Sequence, residues 1–128
     1  MIVVLFLQIV CQIIIFSGII NVWVIRQSNR TPYRGSNAKS LKEEFKAYGY
    51  SGFFFYLIGF LKLLFSTLLI IGIWFTDVVS YGAIGMIVLM FGAIFSHIKV
   101  LDPIKKSLPA LVMLLMSTVV LLGHYHFL

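Results

Sequence analysis

The sequence predicts an all-α membrane protein: a bundle of four transmembrane helices with a short interfacial amphipathic helix between helices one and two. Three observations predict this fold, namely a strongly apolar composition, four separate apolar runs, and nine of the ten basic residues in two of the connections. Of the 128 residues, 61% are hydrophobic and 11% are charged, a mixture that a soluble core cannot bury. The length fits one small domain, residues 1–128.

The apolar runs cover residues 2–25, 52–75, 81–98 and 108–127. A transmembrane helix needs about 20 apolar residues, and backbone groups inside lipid must be hydrogen-bonded within their own segment. The runs are continuous rather than alternating, which argues against a transmembrane β-barrel. The first run has no basic residue ahead of it and no small-residue cleavage site, so we expect it to stay as the first helix.

The basic residues predict the orientation in the membrane. Nine of the ten lie in the connections after the first and third runs: Arg26, Arg30, Arg34, Lys39, Lys42, Lys46, Lys99, Lys105 and Lys106. The turn after the second run carries only Asp77. The positive-inside rule then places both termini outside the cytoplasm, in a multi-pass protein of a bacterial inner (plasma) membrane. These charges also suit anionic lipid headgroups, which explains the net charge of +6 better than binding to nucleic acid does.

The connection after the first run contains a short amphipathic helix. Ser40 and Glu43 have the spacing of a capping box, and Leu41, Phe45 and Tyr48 share one helical face. The residues expected to point away from this face are Lys42, Glu43, Glu44 and Lys46. Such a helix lies at the membrane interface, where it either anchors the connection or docks a partner.

Small residues predict where the membrane helices pack. They let backbones approach closely, and this contact supplies the packing energy that water exclusion cannot supply in lipid. The residues expected at helix contacts are Gly52, Gly59, Gly85, Gly92, Ser96 and Ser117.

Lys62 is the most informative single residue, because it lies near the middle of the second apolar run. A cation at that depth costs about 2.5–3.5 kcal/mol, and no carboxylate of the chain is expected at its level. Lys62 therefore either extends along a neighbouring helix toward the interface or pairs with a group from outside the chain. The polar residues that we expect to bind a ligand or partner are Lys62, His97, Ser66, Asn21 and Ser96.

Other reactive groups are few. Cys11 is the only cysteine, so no intramolecular disulfide is possible, and we interpret it as a small packing residue. His124 and His126 form an H-x-H pair, but a metal site needs further ligands and only Asp77 lies on the same side. No catalytic motif is present, which favours a non-catalytic protein without a metal.

Three motifs follow one another across the helices: IIFSGIINV (14–22), EFKAYGYSGFFFYLIGFLKLL (44–64) and GAIFSHI (92–98). Through these motifs the sequence resembles the DoxX-like membrane proteins over nearly its whole length. Asn21 is a departure, because many relatives carry lysine at that position. Some relatives also carry glutamate near the position of Lys62.

The resemblance implies a small accessory subunit, since relatives occur with quinone-linked sulfur oxidation, in membrane oxidoreductase complexes, and in receptor assembly. Three hypotheses follow. The first is a non-catalytic accessory or partner-binding protein that packs against other membrane subunits or itself. The second is an accessory subunit that binds a quinone or lipid near Lys62 and His97. The third is a small transporter or channel, and no inverted repeat or interrupted helix favours it.

Overall fold

A computed structural model describes residues 2–128, which form five α-helices and no strand. The helices are α1 (Ile2–Ile20), α2 (Leu41–Ala47), α3 (Gly52–Ile71), α4 (Val79–Lys99) and α5 (Leu108–His124). The four long ones, with their flanking turns, are long and apolar enough to cross a membrane. The predicted fold class is confirmed.

The four long helices form a ring, because α1 packs against α3 and α5, and α4 packs against the same two helices. Residues 26–51 and 99–107 lie together at one end of the bundle, which we call the basic end. Residues 72–78 lie at the opposite end. The buried core includes Ile15, Leu69, Met86 and Val120. Large apolar side chains also cover the outer surface, as expected for helices that contact lipid tails.

At its end, α1 continues as a π-helical turn, Asn21–Ile25. This turn buries Trp23, whose indole ring stacks on Phe55 with centroids 5.2 Å apart and meets the edge of Phe45 at 5.5 Å. Gly59 makes room for the ring, because a Cβ at this position would lie 2.7 Å from the indole Cζ3 atom. Trp23 thus joins α1 to both α2 and α3.

The amphipathic helix α2 begins as predicted. The Ser40 hydroxyl accepts a hydrogen bond from the Glu43 backbone N–H at 3.1 Å, and Leu41 and Phe45 are buried against the bundle. The prediction that Glu44 points away from the bundle is wrong, since this side chain is only 7% exposed. Glu44 is buried because Arg34 and Tyr48 provide polar partners beneath the helix.

The ends of α2 and α4 share one backbone motif. After α2, Gly49 has φ +87°, its N–H donates to Lys46, and the Tyr50 N–H donates to the Phe45 carbonyl at 3.1 Å. This is the Schellman arrangement, in which a left-handed residue closes the helix. It reverses the chain between the interfacial helix and α3.

At the end of α4 the left-handed residue is Leu101, with φ +59°. Its N–H donates to the Ile98 carbonyl, and the Asp102 N–H donates to the His97 carbonyl, each at 3.0 Å. Because the Schellman motif pairs the backbones of these two residues, it also brings the Asp102 carboxylate beside the His97 ring.

The small residues divide into two groups. Gly85 lies against the Phe65 ring, as Gly59 lies against the Trp23 ring. At Gly52 and Gly92, in contrast, a Cβ would meet nothing within 4 Å. Within residues 2–128 no side chain or neighbouring helix therefore covers these two glycines, and close packing there stays a prediction for contacts outside the chain. Ser96 and Ser117 are buried.

Candidate ligand-binding site

A cavity of about 890 Å³ lies in the basic-end half of the bundle, between the four long helices and beneath α2. Its volume is within the ~300–1,000 Å³ range of sites that enclose one small ligand. Much of its wall is apolar and includes Ile19, Leu89, Met90, Met113 and Met116. Gly92 and Phe95 of α4 and Val112 of α5 line the cavity and are also exposed, so it opens sideways at these helices.

Lys62 lies in this cavity. Helical side chains lean toward the N-terminus of their helix, which for α3 is the basic end, so the lysine stem extends that way. Its Nζ atom is 4.9 Å from the centroid of a Trp23 ring, a cation–π contact. Within residues 2–128, no hydrogen bond or ion pair involves the Nζ atom. The ammonium therefore faces the cavity with unmatched N–H donors.

His97 is buried at the cavity edge, 6% exposed. Its Nδ1 atom lies 2.8 Å from the Asp102 Oδ2 atom. An ionised carboxylate can only accept a hydrogen bond, so Nδ1 carries the proton and donates it to Asp102. The Tyr48 hydroxyl lies 3.3 Å from Nδ1 and 3.4 Å from Nε2, and Glu44 Oε1 lies 3.9 Å from Nε2. The imidazole thus lies between two carboxylates.

The Tyr48 hydroxyl donates to Glu44 Oε1 at 2.6 Å. Burial, together with the Glu44 carboxylate, raises the pKa of the Tyr48 phenol above its usual range, so the phenol stays protonated. Arg34 Nη1 lies 3.6 Å from Glu44 Oε2. The same guanidinium donates to the carbonyls of Asn29 and Arg26, at 3.2 and 2.9 Å. Glu44 is thereby connected to the preceding loop.

We call the side chains of Arg34, Glu44, Tyr48, His97 and Asp102 the polar network. It also holds the loop over residues 26–40 directly, because the Ser36 backbone N–H donates to Asp102 Oδ1 at 3.0 Å. Lys106 Nζ donates to the Asn37 side chain at 2.9 Å. These contacts fix the loop and α2 across the basic-end opening of the cavity.

The model of the DoxX-like family matches residues 9–120 of the chain. The chain belongs to the DoxX-like family. The match reaches into all four long helices and contains both the cavity and the polar network. No curated protein and no solved structure shows a significant match.

In this DoxX-like protein, four of the five predicted polar residues surround one cavity. Lys62, His97, Ser96 and Asn21 line it, and Asn21 is exposed. Ser96 accepts a hydrogen bond from the Tyr50 hydroxyl at 2.8 Å when its own hydroxyl donates to a carbonyl of α4. Ser66 is instead buried within α3, donates to a carbonyl of its own helix, and does not line the cavity.

Sequence reasoning missed Trp23 and four members of the polar network. Tyr48 follows Glu44 by four residues, so both lie on the same face of α2, and this spacing was a usable signal. Asp102 is the only acidic residue in its connection and follows the end of α4. Arg34 gave no signal, because it is one of several basic residues in an irregular loop.

The side chains around the cavity offer contacts for a bound ligand. Within residues 2–128, no group of three or more His, Cys, Asp and Glu side chains is placed to hold a metal ion. The Glu44 carboxylate already contacts Arg34 and Tyr48, and the Asp102 carboxylate already contacts His97. The Lys62 ammonium and the apolar wall are left to meet a ligand, so a quinone- or lipid-like molecule would contact these two features.

Proposed function

We propose that this DoxX-like protein is a small, non-catalytic accessory protein of the bacterial inner membrane that binds a lipid- or quinone-like amphiphile. The observation that carries this proposal is the cavity of about 890 Å³ with Lys62 in its wall. An amphiphile has an apolar body for the methionine-rich wall and a polar head for the ammonium. The alternative, a protein that only packs against other subunits, leaves the cavity without a role.

The lateral opening supports an occupant that arrives from the membrane. Gly92, Phe95 and Val112 are exposed beside lipid and also line the cavity, so a lipid-soluble molecule can enter without crossing water. On the basic-end side, the loop held by the polar network covers the cavity. We infer that this end faces the cytoplasm, because it carries nine of the ten basic residues.

The test is to purify the protein in mild detergent and measure bound lipids, quinones and proteins by mass spectrometry. Gly92→Trp is the informative variant, because position 92 lines the cavity and has open space at its Cβ. The indole should occupy the cavity without displacing a neighbouring helix. We expect the unmodified protein to retain an amphiphile in stoichiometric amount and Gly92→Trp to lose it.

Gly52→Trp is the matched control, since this glycine also has open space at its Cβ but does not line the cavity. It should retain the amphiphile. If the unmodified protein carries only the average lipid mixture of the membrane, the binding proposal is refuted. Recovery of a larger membrane protein in stoichiometric amount with all three proteins would support the accessory role separately.

A further inference from the structure

The charges around the cavity are strongly unequal. The basic side chains that line it are Arg26, Arg30, Arg34, Lys62 and Lys106. Among the described residues, Glu44 is the one carboxylate in the lining. Five positive charges and one negative charge leave an excess of four positive charges.

That single carboxylate is already engaged, because it accepts the Tyr48 hydroxyl at 2.6 Å and faces Arg34 at 3.6 Å. Lys106 is likewise occupied by Asn37 and Asp102. Arg26 and Arg30 form no ion pair in the part of the chain that the structure describes, and neither does Lys62. The uncompensated charge therefore lies at Lys62 and at these two arginines.

Lys62 differs from the two arginines because it is not at the surface. Residue 62 is half-buried, its ammonium lies over the Trp23 ring, and its donors meet no acceptor of residues 2–128. Unpaired charged donors in a low-dielectric setting are costly, and a ligand oxygen that carries negative charge compensates them best. Arg26 follows Trp23 by three residues, so positive charge continues from Lys62 toward the basic end.

We propose that the cavity selects single-chain amphiphiles with an anionic head, a carboxylate or a phosphate ester, and that Lys62 binds this head. The inference rests on the proposed amphiphile binding and specifies its ligand class. One chain rather than two fits, because the cavity of 890 Å³ has the size of a site for one small ligand. The head lies at the level of Trp23, and the chain extends along the wall formed by Met90, Met113 and Met116.

Trp23 provides a direct measurement, because it is one of only two tryptophans and it lines the cavity. The other, Trp74, is 73% exposed beyond the end of α3. In a Trp74→Phe variant in dodecyl maltoside, Trp23 fluorescence would be titrated with three dibrominated C18 probes. These probes are a fatty acid, the corresponding fatty alcohol, and a lysophosphatidate. Bromine quenches tryptophan at short range, so quenching reports occupation of the cavity.

We expect both anionic probes to half-quench Trp23 at about tenfold lower mole fraction than the alcohol, a ratio equal to about 1.4 kcal/mol. Lys62→Met should raise the half-quenching mole fractions of the anionic probes to that of the alcohol. Lys62→Arg should keep the preference for the anionic probes over the alcohol. The anionic probe that quenches at the lower mole fraction identifies the preferred headgroup, a free carboxylate or a phosphate. A Trp23→Phe variant, which reports from Trp74, measures quenching by probe in the surrounding micelle.

Equal quenching by the alcohol and the two anions would overturn the headgroup inference while leaving amphiphile binding intact. A preference that persists in Lys62→Met would also overturn it, because the charge that selects the anion would then lie elsewhere. If no probe quenches Trp23 more strongly than Trp74, the proposed function itself is refuted. The two failures are therefore distinguishable in one titration.

Discussion

Replacing Glu44 by glutamine removes the negative charge from the polar network while keeping the size of the side chain. Arg34 would then remain buried, 5% exposed, without its carboxylate, and Tyr48 would lose a 2.6 Å bond to an ionised acceptor. Removing one partner of a buried ion pair costs about 3–5 kcal/mol, and a hydrogen bond to a charged group contributes about 1.5–3 kcal/mol. These two energies are not additive, because both describe the loss of the same Glu44 carboxylate.

The expected cost lies below the upper limit for two structural reasons. The Arg34–Glu44 separation of 3.6 Å is longer than a hydrogen bond, and Arg34 keeps two backbone carbonyl acceptors. We therefore expect Glu44→Gln to lower the free energy of attachment of α2 by about 2–3 kcal/mol. The effect should be local, because the core of the long helices is not altered.

Hydrogen–deuterium exchange of the purified protein measures such local opening directly. A loss of 2–3 kcal/mol corresponds to roughly 30- to 150-fold faster exchange of the α2 amides. Glu43→Gln is the control, since Glu43 is exposed and its capping contact uses only its backbone N–H. Its effect should stay within about 0.5 kcal/mol. If the two variants exchange at the same rate, the network does not hold α2 to the bundle.

Three further predictions concern the backbone and the topology. Gly82→Ala should lower the thermal midpoint in detergent, because its Cβ would lie 2.8 Å from a backbone carbonyl oxygen of α3, whereas Gly92→Ala should leave it unchanged. Leu101→Gly should raise the midpoint and Leu101→Ala should not, since a left-handed L-residue costs about 1–2 kcal/mol and this side chain is exposed. In a cysteine-free background, Asp77→Cys should react with an impermeant thiol reagent added outside intact cells, and Lys39→Cys should not. Outside labelling of position 39 would reverse the orientation.

The fold could be predicted because hydropathy and length are sufficient for membrane helices, whereas their ends are less predictable. The second apolar run reaches Phe75, yet α3 ends at Ile71 and the chain turns over residues 72–75. Ile73, Trp74 and Phe75 contact the apolar surroundings equally well in a turn or in a helix. Apolar character therefore indicates the environment of a residue and not its backbone conformation.

The site was only partly predictable. Lys62 and His97 could be identified from the sequence because a polar side chain in an apolar run has a free-energy cost in the membrane, and such residues are therefore candidates for function. Glu44 was predicted to be exposed because it lies among charged residues on a short helix. The i,i+4 spacing within α2 indicates its contact with Tyr48, but its other partners, Arg34 and His97, lie on other segments and leave no signal in the periodicity of α2.

Glycine is equally ambiguous from sequence alone. Gly59 and Gly92 both lie on small-residue faces, but only Gly59 is covered by a neighbour. Trp23, in the π-helical turn of α1, lies over Gly59, whereas a Cβ at Gly92 would meet nothing within 4 Å. Which glycine is covered therefore depends on a side chain from another segment.

The contacts between the loop and the α4–α5 connection also affect biogenesis. Ser36 and Asp102 are 66 residues apart in the chain, so the ribosome must add that length before their hydrogen bond can form. At about 5–20 residues per second, this interval is roughly 3–13 s. Arg34 and Glu44 can meet early, while His97 and Asp102 emerge late. A nascent chain that stalls before Asp102 therefore keeps a loop at its basic end without these late contacts.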